Sequence, residues 1–163
     1  MKNIVVPLIG LGNSGKSRTL RRFFGLPENS KKWAAEKKIG DILIICRFFG
    51  SPQELRNDVT ATIKDIKKRL DYCKTRCRVR GCKKFILLLP MTIERKRGGS
   101  VEENLTTAAM NMLIGEGYKV EPIYLQKLDP VVERFVKQFT KIKIESLSEP
   151  DRQAKDLKKI LGL

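Results

Sequence analysis

The segment Gly10-Leu11-Gly12-Asn13-Ser14-Gly15-Lys16-Ser17 decides how the rest of this 163-residue chain is interpreted. It matches the pattern G-x-x-x-x-G-K-[ST], in which four positions are fixed. Residues 3–9 before it form an apolar run of strand length, and residues 18–24 after it have helical character. The sequence therefore predicts a strand, a glycine-rich loop and a helix, in that order.

The backbone of this loop is suited to binding phosphate. Glycine reaches dihedral angles closed to other residues, so peptide N–H groups can approach an anion closely. The N-terminus of the following helix adds a favourable dipole. The predicted phosphate-binding residues are Gly10, Gly12, Asn13, Ser14, Gly15, Lys16, Ser17 and Arg18. Lys16, assigned the catalytic role, would reach the β- and γ-phosphates, and the Ser17 hydroxyl would bind Mg²⁺. The sequence thus predicts a nucleoside triphosphate site; a glycine-rich turn that binds nothing is the alternative.

Composition and length predict one globular domain over residues 1–163, because the chain is 41% hydrophobic and 32% charged. Lys2 precedes an apolar stretch, but that stretch has no small-residue cleavage site and leads directly into the glycine loop. No apolar run reaches the roughly 18 residues that a membrane span needs. We therefore expect a cytoplasmic protein.

The chain is strongly basic, with 34 Lys and Arg against 18 Asp and Glu and a net charge of +16. This balance favours a polyanionic partner, either nucleic acid or an acidic membrane surface. A lysine-rich solvated surface is the alternative interpretation. The sequence contains no histidine, which excludes histidine-based catalysis and histidine-ligated metals.

Strand and helix patterns alternate along the whole chain. Buried-strand runs occupy residues 42–46, 85–89, 120–125 and 142–144, the second ending at Pro90. Helix starts are indicated at Ser51, Ser100, Asp129 and Ser148, and residues 28–38 are expected to form a loop with a short edge strand around Trp33. This alternation predicts a three-layer α/β fold with a mainly parallel sheet of five or six strands and helices on both faces. Ligands in such sheets bind at the carboxyl ends of the strands.

With the glycine loop, the chain resembles P-loop nucleoside triphosphatases, and its element order resembles the small G domain of translation-factor and Ras-like GTPases. Gln126-Lys127-Leu128-Asp129 stands where that family has N-K-x-D, and Glu145-Ser146-Leu147 lies near its S-A-x position. The resemblance implies that Lys127 flanks a guanine base, that Asp129 accepts hydrogen bonds from it and that Ser146 lies beside it. Asp129 is also a good helix N-cap before Pro130, whatever it binds.

The chain departs from this family in its switch motifs. Arg47-Phe48-Phe49-Gly50 replaces D-x-x-G, and Thr19 is the only threonine between Lys16 and Val59. None of the runs 42–46, 85–89 and 120–125 ends in an acid; Glu54, Asp58 and Glu94 are candidates because they follow strand ends. Because the carboxylate that orients Mg²⁺ is missing, we expect GTP or ATP binding with slow or partner-stimulated hydrolysis.

Two alternatives stay open beside this function. One is a phosphotransferase, since the chain also resembles P-loop kinases more loosely, with the basic loop 95–97 as a mobile lid. The other is a degenerate P-loop module that binds nucleic acid.

Three cysteines cluster at Cys73, Cys77 and Cys82, and Cys46 lies apart. Their spacing is irregular for structural zinc, which usually takes four ligands. Cys73 and Cys77 also fall on the apolar stripe of a predicted helix. We therefore expect core thiols, with a disulfide from Cys82 to Cys77 or Cys73 as the alternative.

Overall fold

A computed structural model describes residues 2–11, 15–48, 59–93, 103–126, 130–145 and 150–163. In chain order the elements are β1 (Ile4–Leu11), α1 (Lys16–Phe23), β2 (Ala34–Ile39), β3 (Ile42–Arg47), α2 (Val59–Val79), β4 (Lys84–Ile93), α3 (Glu103–Gly115), β5 (Lys119–Val120), β6 (Ile123–Gln126), α4 (Pro130–Val136), β7 (Lys143–Glu145) and α5 (Pro150–Ile160).

Within the described residues, seven strands form one sheet in the order β2-β3-β4-β1-β6-β7, with β5 also paired to β1. β1 is parallel to β4, β5 and β6, and the pairs β3–β4 and β6–β7 are parallel as well. β2 alone in this set is antiparallel, and it lies at the edge beside β3. The predicted mainly parallel α/β fold is confirmed, but the expected count of five or six strands was too low.

Two differences between the predicted and the observed strands have identifiable causes. Pro122 follows Glu121 inside the predicted strand 120–125 and cannot donate a ladder hydrogen bond, so the run divides into β5 and β6. The Lys-rich segment before Gly40 forms β2, a full edge strand of six residues rather than a short one around Trp33. Lysines are typical of strands whose outer edge faces solvent.

The sequence predicted that the strand over residues 85–89 ends at Pro90, and this prediction was wrong. β4 continues through Pro90 to Ile93, and Leu8 of β1 pairs with Pro90. The described pairing of β3 with β4 ends at Cys46 and Leu88. Beyond that point β4 is flanked in the described sheet by β1 alone, so a proline there is tolerated.

Helices cover both faces of the sheet, as expected. Ile9 of β1 belongs to one buried cluster with Leu70 of α2 and Leu113 of α3, which α4 also joins. Leu8 of β1 belongs to the other cluster with Leu20 of α1, which α5 also joins. Successive residues of β1 therefore enter opposite cores, as in a strand buried on both sides.

The chain changes face at β1. The helix that follows β1 packs on one side of the sheet, whereas the helices that follow its neighbours β4 and β6 pack on the other side. The carboxyl end of β1 is therefore the point at which the helices change from one face of the sheet to the other. Open parallel sheets bind their ligands at such a position.

Candidate functional site

Gly15 forms the turn that joins the glycine loop to α1. It is the N-cap of α1, with φ +88° and ψ 12° in the left-handed region. For a residue with a side chain this conformation costs about 1–2 kcal/mol. A Cβ at this position would also lie 3.4 Å from Gln153 Oε1 of α5. The left-handed backbone therefore favours glycine at the position that the sequence pattern fixes.

Lys16, the first residue of α1, folds back over the end of β1. Its ammonium donates hydrogen bonds to the carbonyl oxygens of Leu11 at 2.7 Å and Gly10 at 3.2 Å. The side chain is only 7% exposed. A cation is thus held at the carboxyl end of the central strand, against neutral acceptors that are weaker than a charged phosphate oxygen.

Two further predicted phosphate ligands follow Lys16 directly. Ser17 is half-buried in the first turn of α1. Arg18 is exposed, and its Nη2 lies 3.8 Å from the position that a Cβ on Gly15 would take. Ser17 and Arg18 therefore follow Lys16 within the first turn of α1, the first half-buried and the second exposed. The predicted ligands Gly12, Asn13 and Ser14 lie outside the described residues.

A buried hydrogen bond connects this turn to α5. Thr19 Oγ1 donates to Gln153 Oε1 at 2.6 Å, and both side chains are buried. The prediction of site residues missed Gln153, although its position four residues before Leu157 placed it on the apolar face of α5. Gln153 fixes α1 against α5 and contributes to the wall beside Gly15.

The other strand ends meet at the same edge of the sheet. Leu11 of β1 pairs with Ile93 of β4, and Gln126 of β6 pairs with Glu145 of β7. The predicted base-binding residues follow these ends but lie outside the described residues: Lys127, Asp129 and Ser146. The basic loop 95–97 and the candidate acids Glu54, Asp58 and Glu94 lie outside them as well.

The fit of Mg²⁺ can be judged from the oxygen ligands near Lys16. Mg²⁺ binds few protein oxygens and keeps several waters and substrate phosphate oxygens. Ser17, in the first turn of α1, would supply one hydroxyl oxygen to an ion that the phosphates of a nucleotide also bind. In the part of the chain that the structure describes, no group of three or more Cys, Asp or Glu side chains could hold a metal by itself.

The four cysteines are free thiols, and three of them are buried: Cys46, Cys73 and Cys77. Burial raises the pKa of the Cys46 thiol to about 12 and also raises the pKa of Cys73. The Cys77 thiol donates to the Cys82 carbonyl oxygen at 3.3 Å instead of forming a disulfide with that residue. The prediction of core thiols is confirmed for Cys73 and Cys77, whereas Cys82 is only half-buried.

A cavity of about 370 Å³ lies elsewhere, between α4 and the amino ends of β6 and β7. Its walls include Tyr124, Glu133, Lys137 and Lys143. None of the described residues around Lys16 lines this cavity, so it is separate from the carboxyl end of β1.

These features define an α/β protein with a mainly parallel sheet and a glycine loop at the end of its central strand. No protein-family model matches the chain, and no curated protein matches it. The chain is similar to a crystal structure of APE1195, with 12% identity and a TM-score of 0.51 over 99% of this chain and 96% of that one. At this identity the likeness shows the fold alone. None of the helices in the described ranges has the length and apolar composition that crossing a bilayer requires.

Proposed function

We propose that this protein binds a nucleoside triphosphate, GTP or ATP, with Mg²⁺ at the carboxyl end of β1. The observation that carries the proposal is the position of Lys16, whose ammonium lies over the Gly10 and Leu11 carbonyls beside a left-handed Gly15. This geometry occurs in a segment whose sequence matches a phosphate-binding pattern.

The residues at this site suit a polyphosphate for electrostatic reasons. The N–H groups in the first turn of a helix have no acceptors within the helix. In α1, Thr19 N donates to Gly15 O at 2.9 Å, which is the first bond of the helix, so the N–H groups before Thr19 belong to this first turn. Phosphate oxygens are charged acceptors, so the Lys16 ammonium would exchange carbonyl oxygens for them. Arg18 would add a second positive charge. When bound, Mg²⁺ would neutralise phosphate charge, with the Ser17 hydroxyl as one ligand.

Hydrolysis at this site would be slow, or would need a partner. Among the described residues, β3 ends at Arg47 and is followed by Phe48, and β4 ends at Ile93. Neither end offers a carboxylate to orient Mg²⁺ or the attacking water, although phosphoryl transfer relies on such a group. The net charge of +16 supports nucleic acid as a stimulating partner.

Calorimetric titration with Mg·GTP and Mg·ATP tests the proposal. We expect a dissociation constant well below 1 mM for at least one of them, and a 10- to 100-fold weakening in Lys16→Ala, since hydrogen bonds to charged groups are worth about 1.5–3 kcal/mol. Lys84→Ala is the matched control, because it removes a half-buried lysine from the amino end of β4, at the opposite edge of the sheet.

Three outcomes would decide between the forms of this proposal. Binding no tighter than about 1 mM for both nucleotides would overturn it. A preference for GTP that disappears in Asp129→Ala would support the guanine-binding role. If phosphate is transferred to an added nucleoside and is not released as inorganic phosphate, the protein is a phosphotransferase and not a hydrolase.

A further inference from the structure

Trp33 stands out because it is 46% exposed and yet firmly placed. It directly precedes β2, and its carbonyl oxygen accepts a hydrogen bond from Phe48 N at 2.7 Å. Phe48 follows the carboxyl end of β3, so the indole lies at the edge of the sheet that also carries Lys16. Only β4 separates β3 from β1, which puts these two strands about 10 Å apart.

The Trp33 indole is part of a preassembled stack. The Arg47 guanidinium lies 5.2 Å from the centre of the indole and 6.0 Å from the ring of Tyr72. The Trp33 and Tyr72 rings are 5.3 Å apart and tilted by 57°. Arg47 belongs to β3 and Tyr72 to α2, so two regular elements position the groups around an indole that remains half-exposed.

Positive charge surrounds this stack. Lys31 and Lys32 are exposed directly before Trp33, and Lys68 is exposed one helical turn before Tyr72. The acids of β2 and of α2 as described are all in ion pairs: Glu36 with Arg76 and Arg80, Asp65 with Arg69, and Asp71 with Lys74. These acids therefore do little to offset the basic residues, which we call, with the stack, the Trp33 surface: Lys31, Lys32, Trp33, Arg47, Lys68 and Tyr72.

We propose that the Trp33 surface binds single-stranded nucleic acid, with one base stacked on Trp33 and the backbone phosphates held by the lysines and Arg47. An exposed indole flanked by cations is the combination that single-strand binding uses. A duplex hides the faces of its bases, so it cannot use the stack. This partner goes beyond nucleotide binding and lies at a different site, on the same edge of the sheet as Lys16.

Trp33 is the only tryptophan in the chain, so its fluorescence reports on this surface alone. We expect saturable quenching on titration with an oligothymidylate of about 15 nucleotides. The affinity should fall steeply with added salt, as it does when Lys and Arg replace counterions.

Variants separate stacking from charge in a binding assay that uses a fluorescently labelled oligonucleotide. Trp33→Ala should weaken binding by about 5- to 100-fold, whereas Trp33→Phe keeps a ring and should lose much less. The double variant Lys31→Ala with Lys32→Ala should lower the salt slope by about 2. Lys137→Ala, an exposed lysine after α4, is the matched control and should leave binding unchanged.

The outcomes that would overturn the proposal are equally definite. They are an oligonucleotide that binds without quenching Trp33, a duplex of equal length that binds as tightly, or a loss of affinity in Trp33→Ala no larger than in Lys137→Ala. Quenching by anionic lipid vesicles but not by the oligonucleotide would instead assign the surface to a membrane. The nucleotide site is tested separately, because Lys16→Ala should retain oligonucleotide binding and Trp33→Ala should retain Mg·nucleotide binding.

Discussion

Two buried cations show how far individual residues could be predicted. Gly15 and Lys16 were predicted because a pattern with four fixed positions marks them. Arg69 is 2% exposed, its Nε donates to Asp65 at 2.8 Å, and its Nη1 lies 3.4 Å from the Arg47 carbonyl oxygen. Arg69 is one of many basic residues on α2, and nothing in the sequence shows that this residue is the buried one. Its burial depends on how α2 is positioned against β3.

Replacing Arg69 should be costly, because it leaves Asp65 and the Arg47 carbonyl without a buried partner. We expect Arg69→Ala to lower the free energy of unfolding by about 3 kcal/mol, measured by urea denaturation. Lys68→Ala changes the preceding, exposed residue and should stay within about 0.5 kcal/mol of the parent. Equal effects of the two substitutions would contradict the buried role of Arg69.

Glu36 predicts a pH dependence of stability. Hydrogen bonds from Arg76, and then from Arg80, hold the pKa of Glu36 below its usual value of 4.5. Because folding lowers this pKa, the carboxylate stabilises the fold above pH 4.5, and the contribution is lost as the pH falls through the lower folded-state pKa. The difference in urea midpoint between the parent and Glu36→Gln should therefore be largest at pH 7 and should shrink as the pH is lowered.

An exposed acid provides the control for this pH dependence. Glu28→Gln alters an exposed side chain in the loop before β2 and should give only a small difference in urea midpoint at pH 7. A difference for Glu36→Gln that stays constant from neutral to strongly acidic pH would contradict the assignment.

At the scale of elements, apolar runs located most helices and strands, whereas the predicted helix starts at Ser51, Ser100, Asp129 and Ser148 lie outside the described residues. The predicted helix whose apolar stripe carries Cys73 and Cys77 is α2, with 21 described residues, and these two cysteines are buried together with Ile66 and Leu70. The errors fell at prolines: Pro122 ended a strand that was expected to continue, and Pro90 did not end one. The effect of a proline depends on whether its nitrogen, which has no N–H, faces a partner strand. The sequence of the strand alone does not show which strand lies beside it.

The contact between α1 and α5 depends on the hydrogen bond from Thr19 to Gln153. We expect Gln153→Leu to cost about 1–3 kcal/mol in urea denaturation, because it removes the acceptor of a buried hydroxyl. Thr19→Val combined with Gln153→Leu should cost less than the sum of the single changes, since it removes donor and acceptor together. Strictly additive effects would show that the two side chains do not interact.

At the scale of the whole molecule, the sequence predicted the fold class but not the strand order. Alternating runs are compatible with several orders of parallel strands, because the buried strands β1, β3 and β4 carry apolar residues on both faces and accept various neighbours. The position of β4 between β3 and β1 depends on the packing of α2 and α3 over one face. The sequence predicted that Lys16 lies at the carboxyl end of the first strand. It did not predict which other strands end beside it.

Nucleotide binding should stabilise the entire chain, since the proposed site is formed only when β1, α1 and α5 are assembled. At a ligand concentration 100 times the dissociation constant, the gain is about 2.7 kcal/mol. For a chain of this size, that raises the Tm by about 5–10 °C in a thermal melt. Lys16→Ala should abolish the shift. A shift that persists in Lys16→Ala would place the nucleotide elsewhere.

The central position of β1 has a consequence for how this protein is made. β1 begins at Ile4, but its partners are β4, from Lys84, and β6, from Ile123. At typical translation rates, the strand emerges from the ribosome on the order of ten seconds before β4 is synthesised. A chain with so many contacts between distant residues folds slowly for its size. During that interval its most apolar strand is exposed, so the nascent chain is a substrate for chaperones until β4 arrives.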